Sequence, residues 1–228
     1  KVVKISTDFT LKNVTSMAYM FDNCVSLESV DVSAYDTKNV KNTNVCFSGC
    51  SKLLELDVSK WNLGQCTTTN MMFQNCQRLE TLDVSNWNVG KVNNMTNMFQ
   101  GCQSLTNLDV SNWDTKSLVY GSSLFKQTKL TSLNLNKWKV ERIIHMVSMF
   151  GGCTDLETLH ISSWNTNSVR NLNHMFEDCS KLTKIDVSNF NTTQVGHFAH
   201  MFDNCTSLEL LDLTSFDTSK ATTTVSTE

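Results

Sequence analysis

The sequence contains no proline, and glycine accounts for only 8 of its 228 residues. This composition argues against a flexible chain of several domains joined by linkers. The formal net charge is -3 and the sequence pI is near 6.0, so the chain lacks the overall positive charge that attracts nucleic acid or anionic lipid. It also lacks an apolar run of about 18 residues, the length of a membrane-spanning helix. We therefore predict no nucleic acid partner and no direct membrane insertion.

Catalytic patterns are missing as well. The sequence shows no nucleophile with a matching base and acid, no glycine-rich phosphate loop and no C-x-x-C pair of the kind that binds zinc. We therefore predict that the chain is not an enzyme and uses no cofactor.

What the sequence does contain is a repeat. Phenylalanine marks it at Phe21, Phe47, Phe73, Phe99, Phe125, Phe150, Phe176 and Phe202. Six of the seven steps are 26 residues long, and the step from Phe125 to Phe150 is 25. Repeats of this length form solenoids, in which each unit buries its apolar face against the next copy. We predict one domain over residues 1–228, with a partial repeat at 1–20 and a frayed or linker-like tail at 217–228.

One half of each repeat has the pattern of a short strand. Its Leu column contains Val30, Leu56, Leu82, Leu108, Leu133, Leu159, Ile185 and Leu211. Its Val column, two residues later, contains Val32, Val58, Val84, Val110, Leu135, Ile161, Val187 and Leu213. The alternation of apolar, polar and apolar residues is typical of a strand with one buried face. Copies from successive repeats would pair as parallel strands.

The other half of the repeat has the period of a helix. Apolar residues at i, i+3, i+6 and i+7 form one helical face, as at Val92, Met95, Met98 and Phe99. Before this stripe, Asn or Asp followed by Thr, as at Asn165-Thr166, is suited to an N-cap. Two residues after Phe stands Asn, Gly or Asp, as at Asn75 and Gly101; these residues favour the left-handed conformation that ends a helix.

An aromatic column completes the repeat, at Phe9, Tyr35, Trp61, Trp87, Trp113, Trp138, Trp164, Phe190 and Phe216. Its fixed position predicts rings stacked between coils. The repeated L-x-x-L-D-V-S-x-W with a following M-F-x-x-C resembles the BspA-like leucine-rich repeats of bacterial surface proteins, over residues 14–216. We therefore predict an α/β leucine-rich-repeat solenoid, an arc or horseshoe of about eight strand–helix coils with a parallel sheet on one face. The resemblance also implies surface exposure and a role in adhesion or host interaction.

Seven of the nine cysteines fall in one column, three residues after Phe: Cys24, Cys50, Cys76, Cys102, Cys153, Cys179 and Cys205. Stacked coils would place neighbouring members about 5 Å apart, but side chains that point the same way fit the disulfide dihedral angle poorly. Cys46 and Cys66 replace apolar residues of the helical stripe. We predict buried free thiols, with disulfides between neighbouring coils and metal binding as the alternatives.

A polar column between the Leu and Val columns is the main candidate binding surface. This Asp column contains Asp31, Asp57, Asp83, Asp109, Asn134, His160, Asp186 and Asp212. Strand alternation directs it away from the core, and carboxylates about 5 Å apart repel one another. Two explanations for how the protein tolerates the repulsion between these carboxylates stay open. Hydroxyl groups two residues later could donate hydrogen bonds, or a cationic partner, either rich in Lys and Arg or Ca²⁺, could neutralise the charge.

The coil with the missing residue carries a second candidate. It lacks the column cysteine, and Lys137 and Arg142 give it positive charge on an acidic background. A solvated basic edge and a partner-binding patch are both compatible with this pattern. His197 and His200 form a weak metal pattern with no third ligand in view, so no metal site is predicted.

These patterns predict a non-catalytic protein-binding module of a cell-surface or secreted protein. The location comes from the resemblance alone, and the partner would be a host or extracellular protein or glycan bound to the exposed sheet face. The alternative is a structural spacer that holds another domain away from the cell surface, and the oligomeric state stays open. The predicted ligand-binding residues are Asp31, Asp57, Asp83, Asp109, His160, Asp186, Asp212, Lys137 and Arg142.

Overall fold

The computed structural model describes residues 2–3 and 11–222. Within these ranges successive repeats stack as coils, so that equivalent residues of neighbouring repeats lie side by side. The same ranges contain four short strands: β1 (Val2–Val3), β2 (Ser29–Val30), β3 (Ser132–Asn134) and β4 (Thr158–His160). Strand β1 pairs with β2 and β3 with β4, both in parallel. Phe9 and residues 223–228 of the predicted tail lie outside the described residues.

The predicted α/β class with strand–helix coils is wrong, because residues 2–3 and 11–222 contain no helix. The segment predicted as helical is a series of turns that bond to the next coil. Four N–H groups of a central coil donate to carbonyls of the following coil at 2.8–3.0 Å: those of Met95, Asn97, Phe99 and Gly101. The N–H groups between them, such as that of Met98, donate three residues back. A helix would instead need each N–H to bond four residues back within its own coil.

Left-handed backbone at two positions of each coil explains why the helical period does not give a helix. The position two residues after Phe was predicted to be left-handed, and φ is 58° at Asn75 and 72° at Gly101. The position two residues before Phe was not predicted, and φ is 60° at Val45 and 57° at Asn97. A right-handed helix cannot contain such residues without strain. At Gly101 a Cβ atom would also lie too close to Asn75 Oδ1, so a larger residue there would have to displace that side chain.

The predicted burial of the strand segment is confirmed, although most described coils form no strand there. Leu56 and Val58 are buried, and Asp57 between them is exposed. The regular parallel pairing lies instead in a ladder column, five residues before the Phe of each coil: Ser16, Asn42, Thr68, Asn94, Tyr120, His145, Asn171 and His197. Each of these residues from Ser16 to Asn171 pairs with its equivalent in the next coil. The continuous ladder therefore runs through the half of the repeat that was predicted to be helical. In the structure described here, no helix is long and apolar enough to cross a bilayer.

The core is formed by the columns that the sequence predicted. Neighbouring rings of the Phe column stack with centroids 5.1–5.9 Å apart. The indole N–H groups of Trp61, Trp87, Trp113, Trp138 and Trp164 each donate to the Val-column carbonyl of the preceding coil, at 2.9–3.1 Å. These bonds satisfy carbonyl groups that the stacked core shields from water. The aromatic column thus contributes both apolar surface and a polar ladder.

The cysteines are free thiols, as predicted. Seven of them, including Cys46 and Cys66, are buried, whereas Cys24 is exposed and Cys205 is partly exposed. Six column thiols donate to the Phe carbonyl of the preceding coil at 3.0–3.3 Å: Cys50, Cys76, Cys102, Cys153, Cys179 and Cys205. Burial raises the pKa of Cys102 to about 12. The thiols therefore act as small core groups with a weak donor.

The coil that lacks one residue keeps its stacking. Thr128 takes the cysteine position, is buried, and donates through Oγ1 to the carbonyl of Phe125 at 2.9 Å. The same oxygen lies 3.5 Å from Cys153 Sγ, and the rings of Phe125 and Phe150 stack at 5.7 Å. The shortening falls after Thr128 and before Leu130, so a turn absorbs it and the core columns stay in register.

Candidate functional site

The acidic face consists of the Asp column and the column two residues before it, which contains Ser29, Glu55, Thr81, Asn107, Ser132, Thr158, Lys184 and Leu210. Strands β2, β3 and β4 lie on this face. All eight members of the Asp column are exposed, and the Leu and Val columns on either side are buried through most coils. The alternation that the sequence predicted therefore places these polar side chains on the surface.

Hydrogen bonds within each coil hold the carboxylates of the Asp column. Asp109 Oδ1 accepts from the N–H of Ser111 at 3.0 Å and from its hydroxyl at 2.7 Å. The same pair of bonds forms at Asp31, Asp57, Asp83 and Asp186, and at Asp212 with Thr214. A short side chain that accepts from the N–H two residues on stabilises a turn. Each Asp thus closes the turn that leads out of the strand segment.

These hydrogen bonds lower the pKa of the carboxyl groups. The hydroxyl of the following serine is the largest cause of the lowered pKa at Asp31, Asp57, Asp109 and Asp186. At Asp212 the N–H of Thr214 is the largest cause. Repulsion acts in the opposite direction but less strongly, since Asp57 raises the pKa of Asp31 and Asp212 raises that of Asp186. Hydrogen bonding therefore accounts for the tolerated repulsion, and the cationic partner stays a prediction.

Two members of the Asp column depart from this pattern. Asn134, at the end of β3, accepts more weakly from the N–H of Asn136, at 3.3 Å. His160 stands at the end of β4 and is exposed. The acidic face therefore has no carboxylate of the Asp column where β3 and β4 pair, and it carries aspartates of that column on both sides of that point.

A groove of about 420 Å³ lies on the acidic face where the last described coils meet. Three predicted binding residues line it, namely His160, Asp186 and Asp212, together with Lys184 and Leu210. The Leu210 side chain is 73% exposed, which is unusual for a large apolar residue in this chain. Glu157 lines the groove as well, which thus offers an apolar contact beside three carboxylates, one lysine and one histidine.

The two predicted basic residues lie at different places. Lys137 donates to Asn112 Oδ1 at 2.8 Å and lowers the pKa of Asp109, so it lies beside the acidic face. Arg142 lines a second groove of about 500 Å³ together with Val119, Ile144 and Arg170. Val119, Ile144 and Arg170 directly precede residues of the ladder column. Sequence reasoning missed this groove because it assigned the segment to a helix.

The predicted histidine pair also has separate contacts. His197 Nδ1 lies 3.3 Å from Thr222 Oγ1, whereas His200 Nδ1 lies 3.1 Å from Asp203 Oδ2. The potential ligand atoms of His200, Asp203 and Glu177 lie within 4.8 Å of one another. The residues that could hold a metal ion are therefore His200 and two carboxylates, one of which comes from the preceding coil.

Comparison with solved structures supports the leucine-rich repeat character of the stack. A leucine-rich repeat protein from Bacteroides ovatus has a TM-score of 0.52 at 20% identity, and the likeness covers 91% of this chain and 44% of that protein. The chain therefore spans less than half the length of that protein. A leucine-rich repeat protein of T. pallidum has a TM-score of 0.49 at 19% identity, with 91% and 77% covered. The likeness to the Bacteroides ovatus protein shows that the fold is that of a leucine-rich repeat protein, and the BspA-like assignment stays a prediction.

Comparison of the sequence with curated proteins finds no match. A protein-family model does match, three times in overlapping stretches, at residues 3–106, 54–155 and 122–227. The overlap is what a repeat produces when neighbouring windows fit one model equally well. Together the stretches cover nearly the whole chain, so the protein belongs to the family described as Mycoplasma protein of unknown function, DUF285.

Proposed function

We propose that this chain is a non-catalytic protein-binding module of a cell-surface or secreted protein, and that it binds through the acidic face. The observation that carries the proposal is the contrast between neighbouring columns. The residues two positions before the Asp column, from Ser29 to Leu210, differ from coil to coil and are mostly exposed, whereas the adjacent Leu column is apolar and largely buried. Repeat proteins use such positions for recognition because they can change without disturbing the core.

The chemistry of the groove indicates the kind of partner. Asp186 and Asp212 are ionised at neutral pH, since their pKa values are lowered, and Leu210 lies beside them. A basic segment with one apolar side chain would match this arrangement, and a host or extracellular protein supplies such segments. A glycan with cationic groups would match the carboxylates alone. The cell-surface or secreted location rests on the sequence resemblance.

A structural spacer is the second candidate function. It is favoured by the ladder column, which links each coil to the next from Ser16 to His197 without interruption. A continuous backbone ladder resists bending between neighbouring coils, because each bridge fixes the spacing of its two strands. This property would suit a rigid support for another domain.

Binding assays on a matched pair of variants distinguish the two functions. The first variant reverses charge in the groove of the acidic face, with Asp186→Lys and Asp212→Lys. The control reverses charge at two exposed residues that were not predicted to bind, with Lys91→Glu and Arg170→Glu. All four side chains are exposed, so both proteins should fold, which thermal melting would verify.

The probes are purified extracellular-matrix proteins, cell-surface proteins and glycans, tested by biolayer interferometry. We expect at least one probe to bind the unmodified chain, and the acidic-face variant to lose about tenfold or more in affinity, as loss of favourable charge pairs in an interface does. The control variant should bind as before. If both variants bind a probe as tightly as the unmodified chain, the binding site does not lie in the groove of the acidic face. If no probe binds the unmodified chain, the spacer function is favoured.

A further inference from the structure

Two neighbouring coils carry the same short pattern, a histidine followed three residues later by a carboxylate. The pattern is His174-Met-Phe-Glu177 in one coil and His200-Met-Phe-Asp203 in the next. In the earlier coils the histidine position holds Tyr19, Val45, Met71, Asn97, Ser123 and Ser148. Because equivalent residues of neighbouring coils stack, the four side chains come together although the two pairs are 26 residues apart in sequence.

The geometry of this cluster is compact. The imidazole rings of His174 and His200 stack with centroids 5.0 Å apart and 10° between their planes. His174 Nδ1 lies 3.2 Å from Glu177 Oε1, and His200 Nδ1 lies 3.1 Å from Asp203 Oδ2. One ligand atom each from Glu177, His200 and Asp203 fits within 4.8 Å of the others. Each histidine thus directs a ring nitrogen towards the carboxylates.

A second observation concerns the polar atoms of the cluster. His174 Nδ1 is shielded from solvent and makes no hydrogen bond of acceptable geometry among the described residues, although Glu177 is close. A buried ring nitrogen without a hydrogen bond is destabilising unless something else binds it. The lone pair of a neutral imidazole is a strong ligand for a metal ion.

The backbone holds the cluster in place. The N–H of His174 donates to Ala199 O at 2.8 Å, and that of Asp178 donates to Asp203 O at 2.8 Å, so the two coils are tied on both sides of the site. Both histidines have left-handed backbone, with φ of 58° at His174 and 54° at His200. The site is therefore built on a fixed frame, while its partly exposed side chains can still rotate.

We propose that this cluster binds a divalent transition metal ion such as Zn²⁺, with His200, Glu177 and Asp203 as ligands and His174 as a fourth. Imidazole nitrogen and carboxylate oxygen bind Zn²⁺ at about 2.0–2.2 Å, which places tetrahedral ligand atoms roughly 3.4 Å apart. The 3.1 Å separation in His200 and Asp203 is near this value, and rotation of the Glu177 side chain closes the remaining gap. Hard ions such as Ca²⁺ prefer six or more oxygen ligands and would bind worse.

The sequence alone did not predict this site. The sequence indicated only a weak metal pattern at His197 and His200, which are three residues apart, whereas the ligands of the proposed site come from two coils. A search for the same His and carboxylate positions in consecutive repeats would have found it.

The test is titration of the whole chain with Zn²⁺, followed by calorimetry, and with Co²⁺, followed by visible absorption. The variants are His200→Asn and Asp203→Asn, and the control is His145→Asn at an exposed histidine of the ladder column. Asparagine is chosen because Asn97 occupies the equivalent position of an earlier coil with φ of 57°, so the left-handed backbone is tolerated. Thermal melting of each variant without metal checks folding.

We expect one Zn²⁺ ion to bind per chain, with perturbed NMR signals of the His174 and His200 imidazoles. Affinity should fall at least tenfold in His200→Asn and Asp203→Asn and stay unchanged in His145→Asn. Co²⁺ should give the intense visible bands of a tetrahedral complex. No saturable Zn²⁺ binding, or equal binding by His200→Asn and His145→Asn, would overturn the proposal.

Discussion

Truncation of a central ring in the Phe column tests how the stack is stabilised. Phe99 has no exposed surface, and its ring stacks on Phe73 at 5.8 Å and on Phe125 at 5.9 Å. It also meets Trp113 at 6.4 Å. Replacing a fully buried phenylalanine by alanine removes its burial energy and leaves a cavity, which costs about 3–5 kcal/mol. We therefore expect Phe99→Ala to lower the free energy of unfolding by that amount.

Phe202→Ala is the matched control, because it makes the same change in the same column at the last described coil. Phe202 is partly exposed and stacks on one ring of its column, that of Phe176, at 5.3 Å. Its truncation should cost on the order of 1–2 kcal/mol, since less apolar area is lost. Urea unfolding followed by circular dichroism measures both values. Equal losses for the two variants would refute the idea that stability depends on rings enclosed from both sides.

Three further predictions concern the cysteines, the Asp column and the glycines. A thiol reagent added to the native protein should label Cys24 rapidly and the seven buried cysteines only after unfolding, because burial keeps their thiols protonated and inaccessible. Rapid labelling of most of the nine cysteines would contradict their burial in the core. Ser111→Ala should raise the pKa of Asp109, as measured by NMR titration, because it removes the hydroxyl that lowers this pKa most. The stability that the Asp109 carboxylate contributes above the unfolded pKa of about 3.9, and that is lost as pH falls through the folded pKa, should then become smaller. An unchanged pKa would show that the hydroxyl is not the main cause of the lowered value. Gly101→Ala should lower the melting temperature, because φ is 72° there and a Cβ would displace the Asn75 side chain. Gly121→Ala, where a Cβ meets no atom closer than 3.6 Å, should change it little, and equal effects of the two substitutions would contradict this reasoning.

The candidate site was predictable where it depends on alternation within one repeat. In extended backbone a polar residue between two buried apolar columns faces solvent, and Asp57 between Leu56 and Val58 follows this rule. The groove at His160, Asp186 and Asp212 was not predictable in the same way, because its shape depends on how successive coils meet. Lys137 and Arg142 are close in sequence, yet they lie beside different surfaces because the chain turns between them.

The sequence by itself determined the period, the core columns and the surface columns. Phe99, Trp113 and Cys102 are buried because each recurs at a fixed position and must pack against its own copies. Only the tertiary structure decided how the backbone is bonded. An apolar period of three and four residues fits a helix in isolation, but N–H groups such as that of Asn97 find carbonyl partners in the next coil, and left-handed residues at two positions per coil exclude helical geometry. Sequence periodicity reports which side chains are buried, whereas the partner of each backbone N–H depends on the neighbouring coil.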